Sequence, residues 1–326
     1  MSSPPSAEGP LAAHILVCGE ALIDLAETGA GRYSARPAGS PCNVAIACAR
    51  LGVPVAYFGR LSTDHFGSRL RTVLVEEGID LRHTLSGNEP TPLAFVHLEA
   101  DREPQYGFYV EGTVDHKFGA AELPRALSGE IRAVHFGSFS LVLEPGASAF
   151  EALLRREAAD RVISLDPNVR PSLIPERAAY VRRLLTWLPN VDLVKASEAD
   201  LAWLHPGEIP EVVARRWLAP GPALIVVTLG SRGAMAITPH QSVFRATPQV
   251  EVVDTVGAGD AFMAGLLAAL GSEGALQKDA LHRLSDPALA RTLDHALRVA
   301  AITCSRPGAD PPYEHELGTH AWLAER

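Results

Sequence analysis

Residues Val250 to Gly265 read VEVVDTVGAGDAFMAG. The β-branched run Val250 to Val253 predicts a strand, which leads to Asp254 and then to a turn of small residues, Gly257-Ala258-Gly259. A second acid, Asp260, opens a run of good helix formers that extends to Leu270, with Gly271 as the expected stop. A chain that turns through glycines into a helix presents several backbone N–H groups with no intrahelical partner. Those groups and the positive end of the helix dipole favour an anion, typically phosphate. A carboxylate at the mouth of an anion site is electrostatically awkward unless it has a task. Removing a proton from a hydroxyl beside a phosphate is such a task.

Outward from this stretch, strand and helix patterns alternate. Strands are expected over Ile15 to Cys18, Val55 to Gly59, Ala133 to Gly137, Val162 to Leu165, Val191 to Val194 and Leu224 to Val227. Helices are expected within PAGSPCNVAIACARLG (Pro37 to Gly52), over Phe66 to Glu77 with Asp64 as cap, and over Pro145 to Asp160, Arg177 to Leu188 and Arg291 to Cys304. Two runs break the rhythm. Pro92 to Glu99 and Gln105 to Val110, joined by Ala100-Asp101-Arg102-Glu103, predict an antiparallel hairpin of the kind that can flap over a site. The pattern predicts a three-layer α/β/α sandwich with a small β-sheet lid. Residues 1–13 read as a disordered tail and 14–326 as a single domain, with lid strands contributed from about 20–37 and 90–115.

Composition narrows the function. The 326 residues are 47% hydrophobic, enough to bury a full core. The net charge is -9, and Lys117, Lys195 and Lys278 are scattered, which argues against nucleic-acid binding. The longest apolar run, Ala261 to Leu270, is too short to span a bilayer. No Lys or Arg precedes Arg32, so a secretory signal is not expected. Cys18, Cys42, Cys48 and Cys304 form no CxxC pair and read as reduced, mostly buried thiols of a cytoplasmic protein.

Several familiar sites are excluded. The chain has no GxxxxGK[ST] loop and no GxSxG elbow, and GAGDAF lacks the third glycine of GxGxxG. HELGTH, His315 to His320, has one residue too many for HExxH and reads as a solvated tail. Polar groups gather after predicted strands: GEALID (Gly19 to Asp24), DPNVRPSL (Asp166 to Leu173), KASEAD (Lys195 to Asp200) and TLGSRG (Thr228 to Gly233). Asn43, in a first helical turn, either caps its helix or hydrogen-bonds a polyol. Arg170 either positions a polar substrate or forms a loop salt bridge. An anion hole, a carboxylate and loops rich in acids, amides and an arginine fit phosphoryl transfer to a small hydroxylated molecule.

On these residues the chain resembles a carbohydrate kinase of the PfkB/ribokinase family, in its fructokinase branch, from about Ile15 to Ala309. DTVGAGDAFMAG (Asp254 to Gly265) resembles the C-terminal signature. Gly39, Pro41, Asn43, Ala45 and ARLG (Ala49 to Gly52), followed by FGRLSTDHFG, resemble the N-terminal one. VTLGSRGA (Val227 to Ala234) is similar to the nucleotide loop, and DPNVRPSL and TCSRPGA (Thr303 to Ala309) to the fructokinase branch.

The resemblance implies ATP-dependent transfer to fructose, giving fructose 6-phosphate. The alternatives are 2-keto-3-deoxygluconate, another sugar or a nucleoside as acceptor, or a catalytically silent sugar-binding regulator. It implies that Asp260 is the base and that Gly257, Ala258 and Gly259 form the anion hole. Asp24, Gly39, Asn43, Phe108 and Arg170 would meet the sugar. Lys195, Ser197, Thr228, Gly230 and Gly233, with Ala258 and Gly259, would meet the nucleotide. Asp200 would be linked to Mg2+, and Asp254 and Thr255 would neighbour a monovalent cation such as K+. A homodimer paired through lid edges is implied as well. The chain departs from the family at Ala38 (a usual glycine), at Ser197 and Asp200 (for Asn and Glu) and at Val110, where many fructokinases carry an arginine.

Overall fold

The computed structural model describes residues 14–29, 31–97 and 105–318. The expected tail and the hairpin turn at Ala100 to Glu103 lie outside the described residues. The chain opens with β1 (Ile15–Cys18), β2 (Leu22–Gly29), β3 (Arg32–Ala38), α1 (Ser40–Arg50), β4 (Val55–Phe58), β5 (Arg60–Ser62) and α2 (His65–Glu76). Next come β6 (Leu85–Gly87), β7 (Leu93–His97), β8 (Gln105–Tyr109), β9 (Ala133–Gly137), α3 (Gly146–Glu157), β10 (Val162–Asp166), α4 (Arg177–Trp187), β11 (Leu193–Ser197), α5 (Glu198–Leu204) and α6 (Pro210–Leu218). The chain then forms β12 (Leu224–Thr228), β13 (Ala234–Ile237), β14 (Ser242–Arg245), α7 (Ala258–Ser272), α8 (Lys278–Leu281) and α9 (Asp286–Cys304).

An eight-stranded sheet, in the order β14-β13-β12-β11-β10-β9-β1-β4, forms the central layer. Its strands are parallel from β4 to β12, and β13 and β14 add an antiparallel edge. Successive side chains of a strand face opposite layers. On β1, Ile15 and Val17 join the core under α1, α2, α7 and α9, whereas Leu16 and Cys18 join the core under α3 to α6. Both faces are covered, so the parallel strands are buried along nearly their whole length, with ILVC in β1 and LIVVT in β12 the most apolar. The fold is the expected three-layer α/β/α sandwich. Asp64 caps α2 as expected, accepting from the Gly67 N–H at 2.7 Å.

A separate four-stranded sheet has the order β3-β2-β7-β8. The β2–β3 and β7–β8 pairs are antiparallel, as hairpins must be, but β2 and β7 pair in parallel, with Asp24 opposite Ala94. Its inner face closes a small apolar cluster of Leu22, Ala38, Ala94, Val110 and Phe139, with Phe108 packed against it. Val110, a departure noted in the sequence, is buried in this cluster.

Two expectations are corrected. Val250 to Val253 is not a strand: β14 ends the sheet, and Val252 and Val253 are 60% and 57% exposed. The segment is held instead by the end of α9, where the N–H groups of Val253 and Asp254 donate to the Cys304 carbonyl at 2.8 and 3.2 Å. β-propensity makes a strand only where a neighbouring edge offers partners. The tail from His315 is also not simply solvated, at least to Gly318. Leu317 is buried, and the Glu316 carboxylate accepts from Arg306 at 2.6 Å and from the Tyr313 N–H at 2.7 Å.

Candidate active site

The loops after β1, β9, β10, β11 and β12 and the start of α7 lie at the carboxyl edge of the sheet, where ligands bind in open α/β folds. Register brings distant loops together there: Asp166 lies beside Gly137, and Ser197 beside Thr228. Gly257 enters α7 at φ 75°, a left-handed conformation suited to glycine. A Cβ there would stand 2.4 Å from the Ala309 side chain, so the turn also needs the missing side chain.

Asp260, in the first turn of α7, is 7% exposed and surrounded by donors. Ser40 Oγ donates to Oδ1 at 2.7 Å and Asn43 Nδ2 to Oδ2 at 2.8 Å. Asn168 Nδ2 donates to Ser40 Oγ at 2.8 Å and reaches Asp260 Oδ1 at 3.4 Å. A carboxylate has about four acceptor sites; three donors leave room for one more, the size of demand made by a single hydroxyl. Asn43 does not cap α1; its side-chain amide braces Asp260 and lines the cavity beside it. Ser40 and Asn168 were not singled out as site residues. The one local signal at Asn168 is conformational, a φ of 37°, visible only in the structure.

The anion hole is partly formed. The Ala258 N–H donates to the Thr255 carbonyl at 3.2 Å, whereas the N–H groups of Gly259 and Asp260 have no backbone acceptor among the described residues. A Cβ on Gly259 would lie 3.1 Å from Lys195 Nζ, so an ammonium abuts the turn. Lys195 is 3% exposed and paired at 2.8 Å with Asp166, which is fully buried. Burial alone would lower the Lys195 pKa, but Asp166 and Asp200 more than offset it, and the net shift is upward. A buried, permanently charged lysine beside unpaired N–H groups is a strong anion site.

Asp200 has both oxygens engaged by protein. Val169 N–H donates to Oδ1 at 2.7 Å, and Ser197 donates to Oδ2 through N–H at 2.8 Å and Oγ at 2.6 Å. It ties the β10 and β11 loops together. Thr228, Gly230 and Gly233 form the adjoining turn after β12. Asp254 joins two loops, accepting from Val256 N–H at 3.0 Å and Gly308 N–H at 2.7 Å, while Thr255 is exposed. The Gly308 loop is anchored in turn by Arg50, which donates to Asp310 at 2.6 Å and to Glu77 at 2.7 Å.

A cavity beside Asp260 is lined by Glu20, Asp24, Gly39, Ser40, Asn43, Phe108, Ser138, Arg170 and Gly257. Gly39 adopts φ 104°, and a Cβ there would meet the Glu20 carbonyl at 2.8 Å. Among the described residues Arg170 forms no salt bridge; one of its nitrogens, Nη1, donates to the Asn168 side-chain oxygen at 2.7 Å and to the Asn168 carbonyl at 3.0 Å. Burial and the neighbouring Asp260 push the Asp24 carboxyl up to about 7, against the pull of Arg170 and Arg36. The lid residue Phe108 stacks edge-on to Phe139 at 5.7 Å.

A doubly covered parallel sheet with a buried acid at a glycine-turned helix start, beside a polar cavity, suits phosphoryl transfer to an alcohol group. The chain belongs to the pfkB family of carbohydrate kinases, whose family profile matches residues 12–316. It is 39% identical over 282 residues to a fructokinase from Rhizobium leguminosarum bv. trifolii, covering 84% of this chain and 85% of that one. Among solved structures it superposes on the ATP-bound fructokinase of Xylella fastidiosa with a TM-score of 0.85 at 30% identity, covering 93% of this chain and 96% of that one. A double-mutant fructokinase from Vibrio cholerae O395, solved with fructose, ADP and a potassium ion, gives a TM-score of 0.80 at 28% identity, covering 91% and 94%.

Proposed function

We propose that the protein transfers the γ-phosphoryl group of ATP to the primary hydroxyl of fructose. The carrying observation is Asp260: a buried carboxylate held by Ser40, Asn43 and Asn168, with one acceptor site left over, at the mouth of an anion site. The sugar hydroxyl takes that remaining site and gives up its proton to Asp260 as its oxygen bonds to the γ-phosphorus, while the bond from that phosphorus to the β–γ bridging oxygen breaks and ADP leaves. The N–H groups of Gly259 and Asp260 and the Lys195 ammonium stabilise the charge that develops on the phosphoryl oxygens. Gly257 and Ala258 complete the hole once the Ala258 N–H exchanges the Thr255 carbonyl for a phosphoryl oxygen. Thr228, Gly230, Gly233 and Ser197 line the nucleotide side.

Three carboxyl side chains, Glu20, Asp24 and Asp260, face the cavity against the single guanidinium of Arg170. That balance favours a neutral sugar over a sugar acid such as 2-keto-3-deoxygluconate.

No group of three or more His, Cys, Asp or Glu side chains suited to a metal occurs among the described residues. With both Asp200 oxygens engaged, the donor set fits Mg2+ carried on the nucleotide phosphates, where it would neutralise charge on the transferred group, rather than in a protein cage. Asp254 and Thr255 fit a monovalent cation better, because each Asp254 oxygen keeps a free lone pair after one N–H contact.

The four-stranded sheet acts as the lid. Its outer aromatics, Tyr33 at 49% and Tyr109 at 63% exposure, flank Phe95 in edge-to-face contacts and suit the same face of a second copy in a homodimer. A cytoplasmic location fits the four free thiols.

A coupled ADP-release assay over fructose, glucose, ribose, tagatose, 2-keto-3-deoxygluconate and adenosine, with and without potassium, tests the proposal. Fructose is expected to give the highest kcat/KM. Absence of sugar-dependent ADP release across the panel would refute it.

A further inference from the structure

Glu20 is the buried ionisable group of the cavity that phosphoryl transfer leaves unused. It follows β1, is 1% exposed and lines the same cavity as Asp24, Asn43, Arg170 and Asp260. One of its oxygens is fixed. Oε2 accepts from the Ser140 hydroxyl and, at 3.3 Å, from the Ser140 N–H, while the Glu20 N–H donates to Ser140 Oγ at 2.7 Å. The other oxygen, Oε1, is buried with no hydrogen-bond partner.

Two neighbouring hydroxyls are committed elsewhere, Tyr57 OH to the Gly19 carbonyl at 2.6 Å and Ser40 Oγ to Asp260 at 2.7 Å. The Ser138 hydroxyl helps to stabilise the charged Glu20 carboxyl against its burial but makes no hydrogen bond to Oε1. A purely structural role accounts for Oε2, which stitches the loop after β1 to the turn after β9, but leaves Oε1 unexplained. Most buried polar atoms in folded proteins have a partner, and each exception calls for an explanation such as a bound water, ion or ligand; among the described residues with such an atom, Glu20 is the one that lines this cavity. Ser138, on the same wall, holds a φ of 59°, a conformation disfavoured for a residue with a side chain.

We propose that Glu20 is a sugar-contacting, specificity-determining residue, whose Oε1 hydrogen-bonds a ring hydroxyl of the acceptor other than the one activated by Asp260. This rests on the sugar-kinase reading of the cavity and adds to it a contact that reads sugar configuration. Burial pushes the Glu20 carboxyl up to about 7, so near neutrality it can accept from a hydroxyl or donate to one.

The test is calorimetric binding and ADP release for fructose and its C3, C4 and C5 epimers psicose, tagatose and sorbose. The proteins are the wild-type chain, Glu20→Met and Glu20→Gln. Glu20→Met is expected to weaken fructose binding about tenfold or more, the weight of one hydrogen bond to a buried carboxyl. It should bring the affinity ratio of fructose to one particular epimer close to one, leave the other ratios and the KM for ATP unchanged, and be partly rescued in Glu20→Gln. Should the methionine variant not fold, the glutamine variant carries the same comparison. An unchanged epimer ranking, or equal weakening for all four sugars, overturns the inference. Wild-type turnover is read separately. Sugar binding without turnover refutes the kinase reading and leaves the Glu20 comparison to calorimetry, whereas binding of no sugar overturns both.

Discussion

The two walls of the cavity differ in how they satisfy their acids. At the start of α7, Asp260 is braced by three side-chain donors and Lys195 is locked to Asp166. On the wall formed by the loop after β1 and by β2, Glu20 keeps one buried oxygen unpartnered, and Asp24 is pushed up to about 7 by burial and by Asp260. The side chains of the first wall are braced without ligand, as suits chemistry that needs preorganised groups, and only the backbone N–H groups of its turn still await a partner. The second is incomplete, as suits recognition, where a ligand supplies the missing partners. The protein therefore holds its catalytic geometry ready and leaves its sugar-reading groups waiting.

Four substitutions would break or sharpen that contrast. Asp260→Asn should lower kcat by at least ~10²-fold, the lower end of typical general-base contributions, while sugar affinity stays within about tenfold; near-normal turnover would remove Asp260 as the base. Lys195→Met should leave Asp166 buried and unpaired, lowering stability by about 3–5 kcal/mol in denaturant unfolding and abolishing activity. A fully stable variant would show that the braced wall does not depend on the pair. Ser40→Ala removes one of the donors to Asp260. Because a hydrogen bond to a charged group is worth about 1.5–3 kcal/mol, kcat should fall roughly tenfold or more with little change in sugar KM. A loss confined to KM would place Ser40 on the recognising wall instead.

Asp24→Asn should show the smallest effect on kcat and the most telling pH dependence of stability. The Asp24 pKa is raised from 3.8 to about 7, so the folded protein keeps a proton that the unfolded chain releases. That contribution to stability is fully present below 3.8 and is lost as pH rises through about 7. The variant should therefore melt higher than wild type at pH 8, with the gap closing as pH falls towards 4, while binding fructose more weakly. A gap independent of pH would show that Asp24 is not held out of its charged form.

The catalytic wall was largely legible in the sequence because its key residues lie on contiguous motifs. Asp260 and the Gly257 to Gly259 turn are one segment, and Lys195 is placed by the parallel strand that carries it. Ser40 and Asn168 were harder to read. A serine at a helix start and an asparagine in a loop are common for capping and turn reasons, and nothing local says that both point at one carboxylate. The recognising wall was half legible. GEALID marked a polar strand end, but the orphaned oxygen of Glu20 depends on where Ser140, Tyr57 and Ser40 direct their own donors.

By itself the sequence determined the alternation of strands and helices, the glycine turn into α7 and the family, because periodicity and short-range backbone demands are written along the chain. It misjudged Val250 to Val253 for the same reason, since local propensity cannot say whether a sheet edge is free to pair. Only the tertiary structure decided which donors meet Asp260, that β2 and β7 pair in parallel, and which buried oxygen is left without a partner. Those outcomes depend on groups up to 220 residues apart in the chain, such as Ser40 and Asp260, brought together by packing rather than by sequence proximity.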